Sequence, residues 1–174
     1  FDGNGFSLIG LRINTALYVG LFGWIEDAKV ENVNLLDVDV EMLGPGGTIL
    51  RTGSLVGTAS NSQIVNCYVE GSVSAISSYS GGMIGSISDG TQVINCGANI
   101  QFSTSASQAG GLIGVIQAAA VTDSYSTGSV TVIADDTVVI DVGGLVGTNS
   151  WDGMITNCYS RSNIEAPEGS GRIG

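Results

Sequence analysis

The stretch that decides the fold is GGLVGTNSWDGMITNCYS, residues 143–160, in which a Gly-Leu-Val-Gly element precedes an Ile-Thr-Asn-Cys-Tyr element. Clustered glycines before apolar residues also begin phosphate-binding loops, but such a loop needs one glycine-rich turn that leads into a helix. Here the glycine element recurs and no helical pattern follows it. We therefore interpret it as a structural repeat, with closing glycines at Gly23, Gly57, Gly85, Gly114 and Gly147 and a further copy beginning at residue 171.

A second element follows each closing glycine at a nearly constant distance. It is centred on an Asn or Asp nine or ten residues later, at Asn32, Asn66, Asn95, Asp123 and Asn157, and three copies continue with Cys67, Cys96 and Cys158. The closing glycines, with residue 174, are separated by 34, 28, 29, 33 and 27 residues. Each unit offers three short segments rich in β-branched and apolar residues, divided by Gly, Ser, Asn and Asp turns.

These repeats predict an all-β fold, a right-handed parallel β-helix (β-solenoid) with about five to six coils of roughly 27–34 residues. A propeller blade needs roughly 40 residues or more, so the repeats are too short for a propeller. We predict one repeat domain over residues 1–174, and we expect it to be a fragment of a longer chain. Its predicted parts are an opening segment 1–17, repeats at approximately 18–51, 52–79, 80–108, 109–141 and 142–169, and the start of another repeat at 170–174.

The composition argues against several classes of function. Sixteen Asp and Glu against five Lys and Arg give a net charge of −11, which disfavours binding to nucleic acid and to anionic lipid. The absence of histidine removes Ser-His-Asp and Cys-His catalysis and the commonest zinc ligand. The most apolar stretch, residues 16–25, is about half as long as a membrane-spanning helix. We therefore expect no enzyme activity, cofactor, metal site or direct membrane insertion.

Equivalent residues of successive coils should stack in columns. The closing glycines would allow tight corners or close backbone approach, and the Asn and Asp residues would form a ladder of hydrogen bonds. The cysteine column is interpreted as buried free thiols. A disulfide between Cys67 and Cys96 is geometrically conceivable, although the odd number of cysteines leaves at least one thiol free.

Two groups of side chains are candidates for a binding site. Alternation places Tyr68, Tyr125 and Tyr159 on an outward face, where an aromatic row could bind sugar rings or a protein partner, although Asn34 and Gly97 interrupt the row. The segment 36–42 alternates so that its carboxylates share one outward face, and paired carboxylates can perform glycosidic acid–base chemistry. A solvated face is the simpler interpretation. These carboxylates are Asp37, Asp39 and Glu41, with Asp135 and Asp136 as weaker candidates.

The unit Gly-Gly-Leu-Val-Gly-x-Asn, followed by Ile-x-Asn-Cys-Tyr and Gly-x-Val, resembles the GLUG repeat of large bacterial surface proteins. The best copies are residues 143–164, 110–130 and 52–73, and residues 1–11 resemble a segment that often precedes such repeats. The resemblance implies a module of an adhesin-like protein or a non-catalytic region of an IgA-cleaving zinc metallopeptidase. The His-Glu-x-x-His zinc site of those peptidases has no counterpart in a chain without histidine.

The sequence therefore favours a non-enzymatic repeat module of a secreted or cell-surface bacterial protein. We expect this module to be extracellular and to act as a stalk or an adhesive surface. Its expected partners are a host protein or glycan and neighbouring repeats of the same chain. Two alternatives stay open. One is a carbohydrate-active β-helix, a hydrolase or lyase that uses the exposed carboxylates; the other is the accessory region of a secreted zinc metallopeptidase whose catalytic module lies elsewhere.

Overall fold

Stacked parallel strands form all the regular structure in the computed structural model of the chain. The structure describes residues 1–15, 17–42, 50–76, 78–105, 107–133, 140–167 and 171–173, and among these residues every paired strand is parallel and no helix occurs. No described helix could therefore span a membrane. The predicted all-β parallel solenoid of about five turns is confirmed. Asp135 and Asp136 lie outside the described residues.

The described strands belong to four sheets. Sheet 1 contains β1 (Ser7–Ile9), β2 (Arg12–Thr15), β6 (Asn34–Met42), β10 (Tyr68–Ala75), β14 (Gly97–Thr104), β18 (Tyr125–Val132), β22 (Tyr159–Ser160) and β23 (Asn163–Glu165). Sheet 2 contains β3 (Tyr18–Val19), β7 (Arg51–Thr52), β11 (Tyr79–Gly81), β15 (Gln108–Gly110), β19 (Ile140–Gly143) and β24 (Gly171–Ile173). Sheet 3 contains β4 (Phe22–Glu26), β8 (Val56–Ser60), β12 (Ile84–Ser88), β16 (Ile113–Gln117) and β20 (Val146–Ser150). Sheet 4 contains β5 (Lys29–Glu31), β9 (Gln63–Val65), β13 (Gln92–Ile94), β17 (Ala120–Thr122) and β21 (Met154–Thr156).

Each coil passes through sheets 2, 3, 4 and 1 in that order, so that β3 to β6 form the first coil and β19 to β23 the fifth. Strands β1 and β2 stack on β6 at one end, and β24 stacks on β19 at the other. Each of the first four coils has four strands, and the fifth has five because its sheet 1 segment is divided into β22 and β23, whereas the sequence indicated three segments. The additional strand, in sheet 2, lies just before the glycine element and is only two to four residues long, too short to show a period of two.

The core consists of columns of like residues that stack along the solenoid axis. In sheet 4, Ile64, Val93 and Val121 occupy one column and are each 0% exposed. Their equivalent in the fifth coil, Ile155, is 40% exposed because no described strand stacks on β21. At this end, burial of the core therefore depends on a following coil. At the other end, Val30 of the first coil is only 2% exposed beside the opening segment, in which Asp2 forms a bridge to Glu31.

Sheets 2 and 3 approach so closely at the closing glycines that no side chain fits between them. A Cβ atom on Gly114 would lie 2.6 Å from the carbonyl oxygen of Gly85 and 2.6 Å from the amide nitrogen of Ser80. Gly85 has the same environment one coil earlier, 2.5 Å from the carbonyl oxygen of Gly57. The contacting atoms are all backbone, which cannot rotate away. The glycine element therefore marks a close approach of two backbones.

Candidate functional site

The Asn and Asp column forms corners with left-handed backbone. All five residues have φ between 51° and 54°, a conformation that Asn and Asp adopt more readily than other non-glycine residues. They are Asn32, Asn66, Asn95, Asp123 and Asn157. At these positions the chain turns from sheet 4 into sheet 1.

The amide side chains of this column form a hydrogen-bonded ladder. Asn95 Nδ2 donates to Asn66 Oδ1 at 2.9 Å, and Asn66 Nδ2 donates to Asn32 Oδ1 at 3.2 Å. Asn32 Nδ2 donates to the carboxylate of Asp2 at 2.9 Å. Donation from Asn32, and then from the Asn4 amide, lowers the pKa of Asp2. This stabilisation is present above the unfolded pKa of Asp2 and is lost as pH falls through its folded pKa.

The ladder is interrupted at the fourth coil. To continue it, the side chain of residue 123 would have to donate a hydrogen bond to Asn95 Oδ1, and the ionised carboxylate of Asp123 has no donor. Within the described ranges, no side-chain hydrogen bond joins Asp123 to Asn95. The column thus contains a continuous run from Asp2 to Asn95 and a break after it.

We expect Asp123→Asn to stabilise the protein, because the new amide can donate to Asn95 and retains the left-handed corner. One added hydrogen bond should raise the melting temperature by about 2–4 °C at neutral pH. Asp152→Asn is the matched control: Asp152 is also exposed and left-handed, with φ of 61°, but lies outside the column. An equal rise in both variants, measured by circular dichroism, would assign the effect to reduced negative charge instead.

The neighbouring column of small side chains connects coils through the backbone. The amide of Cys96 donates to Ser124 Oγ at 3.1 Å, and the amide of Ser124 donates to Cys158 Sγ at 3.4 Å. The same side chains donate to the carbonyl oxygen two residues earlier, Cys96 to Ile94 at 3.3 Å and Ser124 to Thr122 at 2.8 Å. In the later coils this column therefore uses compact side chains that both donate and accept, whereas Val33 in the first coil does neither.

The three thiols are free in the structure, with Cys67 and Cys96 buried and Cys158 half-buried in the last full coil. A hydrogen bond with Cys67, together with burial, raises the pKa of the Cys96 thiol. Cys96 therefore stays protonated at neutral pH and keeps its hydrogen bond to Ile94. The thiols are used within the scaffold.

The tyrosine column of sheet 1 forms a stacked arrangement. The rings of Tyr125 and Tyr159 lie 5.4 Å apart and within 8° of parallel. The ring of Tyr125 also covers Gly97, since a Cβ atom there would lie 2.4 Å from Tyr125 Cζ. Arg161 lies 5.7 Å from the centroid of the Tyr159 ring. Tyr125 and Tyr159 thus cover one face of each other, while Tyr159 is 51% exposed, and the tyrosine row stays a predicted binding surface.

Tyr68, the first tyrosine of the column, is coupled to an acidic neighbour. Its hydroxyl donates to Glu70 Oε2 at 2.8 Å. Partial burial, and then this interaction with Glu70, raises the pKa of Tyr68 to about 12. The phenol therefore stays protonated and holds Glu70 in place across the physiological pH range.

The three predicted carboxylates, Asp37, Asp39 and Glu41, point outward from β6, and Val38 and Val40 are buried between them. The register between β6 and β10 shifts by one residue, so that Val69 pairs with Leu35 but Gly71 pairs with Val38. The extra residue is accommodated by a bulge in which Asp37 has a left-handed φ of 53°.

Residues of β2 hold all three carboxylates. Arg12 Nη1 donates to the Asp37 carbonyl at 2.6 Å, and its other nitrogens lie 3.3 Å from Asp37 Oδ2 and 3.5 Å from Asp39 Oδ2. Asn14 Nδ2 donates to Glu41 Oε2 at 3.2 Å. The cluster is a network of ion pairs and hydrogen bonds between the opening segment and the first coil. Among the described residues, no group of three or more Cys, Asp and Glu is placed to hold a metal ion.

The bulge opens a groove of about 400 Å³ on the outward face of sheet 1. Its lining comes from four neighbouring strands and is mostly polar: Arg12, Asp37, Val38, Asp39, Glu70, Gly71, Ser72, Asn99 and Gln101. Sequence reasoning found Asp37 and Asp39 but missed the other polar residues. Aligning the long third segment of each repeat would have placed Ser72 and Gln101 in one row, whereas Arg12 lies outside the repeats.

The fold and this surface define a β-solenoid repeat protein with a polar face on its largest sheet. Three segments, residues 50–74, 105–131 and 140–165, match the family model of the GLUG motif, which confirms the resemblance seen in the repeat residues. A comparison with curated protein sequences finds no match.

A solved structure supports the fold. The chain resembles the crystal structure of a "putative immunoglobulin A1 protease" from Bacteroides ovatus, with a TM-score of 0.58 and 17% sequence identity. The similarity covers 100% of this chain and 68% of the other. At this identity the likeness concerns the fold alone.

Proposed function

We propose that the chain is a non-enzymatic β-solenoid module of a secreted or cell-surface bacterial protein, and that it acts as a stalk or an adhesive surface outside the cell. The observation that carries the proposal is that the repeated residues hold neighbouring coils together. The closing glycines, the asparagine ladder and the thiol column are all engaged in contacts between coils. What remains available to a host protein or glycan is the outward surface, above all the polar face of sheet 1.

The proposal can be tested with beads that carry the protein at a fixed orientation. We expect beads to be retained on host-derived surfaces, such as mucin or epithelial cells, and retention to fall when Asn99 on sheet 1 is replaced by Arg. Gln92→Arg, at an exposed position on sheet 4, is the matched control and should leave retention unchanged. Turnover of polysaccharide or protein substrates by the purified chain would contradict the non-enzymatic assignment.

The hydrolase or lyase alternative depends on Asp37, Asp39 and Glu41. The contacts of these carboxylates with Arg12 and Asn14 support a structural role, because the ion pairs join β2 to β6. If cleavage of a polysaccharide were detected and were lost in both Asp37→Asn and Asp39→Asn, this alternative would replace the main proposal.

A second candidate function follows from the likeness to the Bacteroides ovatus structure. As the accessory region of a secreted peptidase, this chain would bind the substrate without cleaving it. Immobilised immunoglobulin A1 provides the probe. Saturable binding in surface plasmon resonance without proteolysis would favour this candidate over a general stalk.

A further inference from the structure

The outward face of sheet 1 contains a continuous polar row that runs along the solenoid axis. Each of the stacked strands β2, β6, β10, β14, β18 and β23 contributes one residue, which pairs with the next. In stacking order these residues are Arg12, Asp39, Ser72, Gln101, Ser129 and Asn163. Neighbouring strands are about 4.8 Å apart, so the row offers one polar side chain at about that interval. A pyranose unit in an extended chain has a similar length.

We propose that an uncharged polysaccharide binds in extended form along this row, with its hydroxyl groups hydrogen-bonded in the groove that Arg12, Ser72 and Gln101 line. The inference rests on the proposed binding role of the module and specifies the class of ligand. Each sugar hydroxyl both donates and accepts a hydrogen bond. The groove offers both kinds of partner, since Arg12 donates, the carboxylates accept, and the Gln101 amide does both.

The shape of the groove follows from the bulge in β6. Gly71 pairs with Val38 beside the extra residue, and a Cβ atom on Gly71 would lie 2.2 Å from the Val38 carbonyl oxygen. The two backbones are therefore in direct contact beneath the groove. The floor of the groove at this point is therefore backbone.

Several groups in the groove are held in place before any ligand arrives. Arg12 is fixed by Asp37 and Asp39. Ser72 Oγ donates to Asp39 Oδ1 at 3.2 Å, and Tyr68 holds Glu70. Because these side chains are already ordered, a ligand would lose less conformational entropy on binding. Gln101 is exposed and completes the lining.

The lining favours a glycan over a peptide. Peptide and protein interfaces depend on aromatic or aliphatic anchors and the pockets that receive them, whereas the one apolar residue among the described lining residues, Val38, is 2% exposed and turned into the core. A basic peptide is the competing ligand, because Arg12 offsets only one of the three lining carboxylates Asp37, Asp39 and Glu70. Salt-sensitive binding to a cationic peptide is therefore the competing outcome.

The test uses the full chain and four neutral polysaccharides: xylan, mannan, a mixed-linkage β-glucan and galactan. We expect at least one to retard the protein in affinity gel electrophoresis and to bind in calorimetry. Gln101→Ala should weaken that binding about tenfold, the effect of losing one or two hydrogen bonds. Gln92→Ala removes the same side chain from sheet 4 and should leave the affinity unchanged. Melting curves of both variants verify that they are folded.

Three outcomes would overturn the inference: no retardation by any of the four polysaccharides, equal effects of Gln101→Ala and Gln92→Ala, or binding to oligolysine alone. The failure of the inference can be separated from failure of the proposed function. If bead retention depended on Asn99 but persisted in excess polysaccharide, the polysaccharide inference would fail. The proposed adhesive function would still stand, with a protein as the partner.

Discussion

Gly114→Ala is expected to be strongly destabilising, by roughly 3 kcal/mol, the upper part of the range for overpacked interiors. The new Cβ atom would meet the Gly85 carbonyl oxygen and the Ser80 amide nitrogen, both at 2.6 Å. These atoms belong to sheets 3 and 2, so relief of the clash requires two stacked strands to separate. Equilibrium unfolding in urea would show a lower midpoint, and hydrogen exchange would show lost protection in β12 and β16 first.

Gly90→Ala serves as the control for this prediction. Gly90 has a φ of 81°, and a Cβ atom there would have no heavy atom within 4 Å. Its replacement therefore adds only the cost of an alanine in the left-handed conformation, about 1–2 kcal/mol. If Gly114→Ala lowered stability no more than Gly90→Ala, close backbone approach would not be the reason for the repeated glycine.

The second large effect is expected at the thiol column. Cys96→Val should destabilise the protein by roughly 1–3 kcal/mol, because valine leaves the buried Cys67 amide without its acceptor. The Ile94 carbonyl also loses the thiol but keeps its hydrogen bond from the Asn66 amide. Cys96→Ser should remain within about 1 kcal/mol of the parent, since the hydroxyl of Ser124 already performs both tasks one coil later. Urea unfolding under reducing conditions measures both variants.

The comparison of valine with serine separates hydrogen bonding from size. A column that selected only small apolar residues would accept valine at least as well as serine, and the buried Val33 of the first coil is an example of such a residue. Equal stability of Cys96→Val and Cys96→Ser would therefore contradict the hydrogen-bonding role of the thiols.

The fold could be predicted from sequence because each structural position is sampled in five coils. Variation at one copy, such as Ser124 among the cysteines, does not hide the column. The sheet 2 strands were missed because a strand such as Tyr79–Gly81 is too short to show alternation beside the glycines. Local pattern thus reveals the repeat period more readily than it reveals the number of strands in a coil.

The candidate site was less predictable, for three physical reasons. Arg12 belongs to the opening segment, and only strand pairing brings it beside Asp37 and Asp39. The groove arises from a one-residue shift in register, which alternation within a single strand does not reveal. The rings of Tyr125 and Tyr159 stack on one another, and a sequence specifies neither their rotamers nor their mutual stacking.

The asparagine ladder also gives the stack a polarity. Each of the three amides donates toward the amino-terminal end, and the run ends there at the carboxylate of Asp2, which accepts without donating. A carboxylate such as Asp123 cannot pass the ladder on, so the run from Asp2 stops at Asn95. In a longer array of such coils, we expect the spacing of aspartates in this column to set how many coils unfold together.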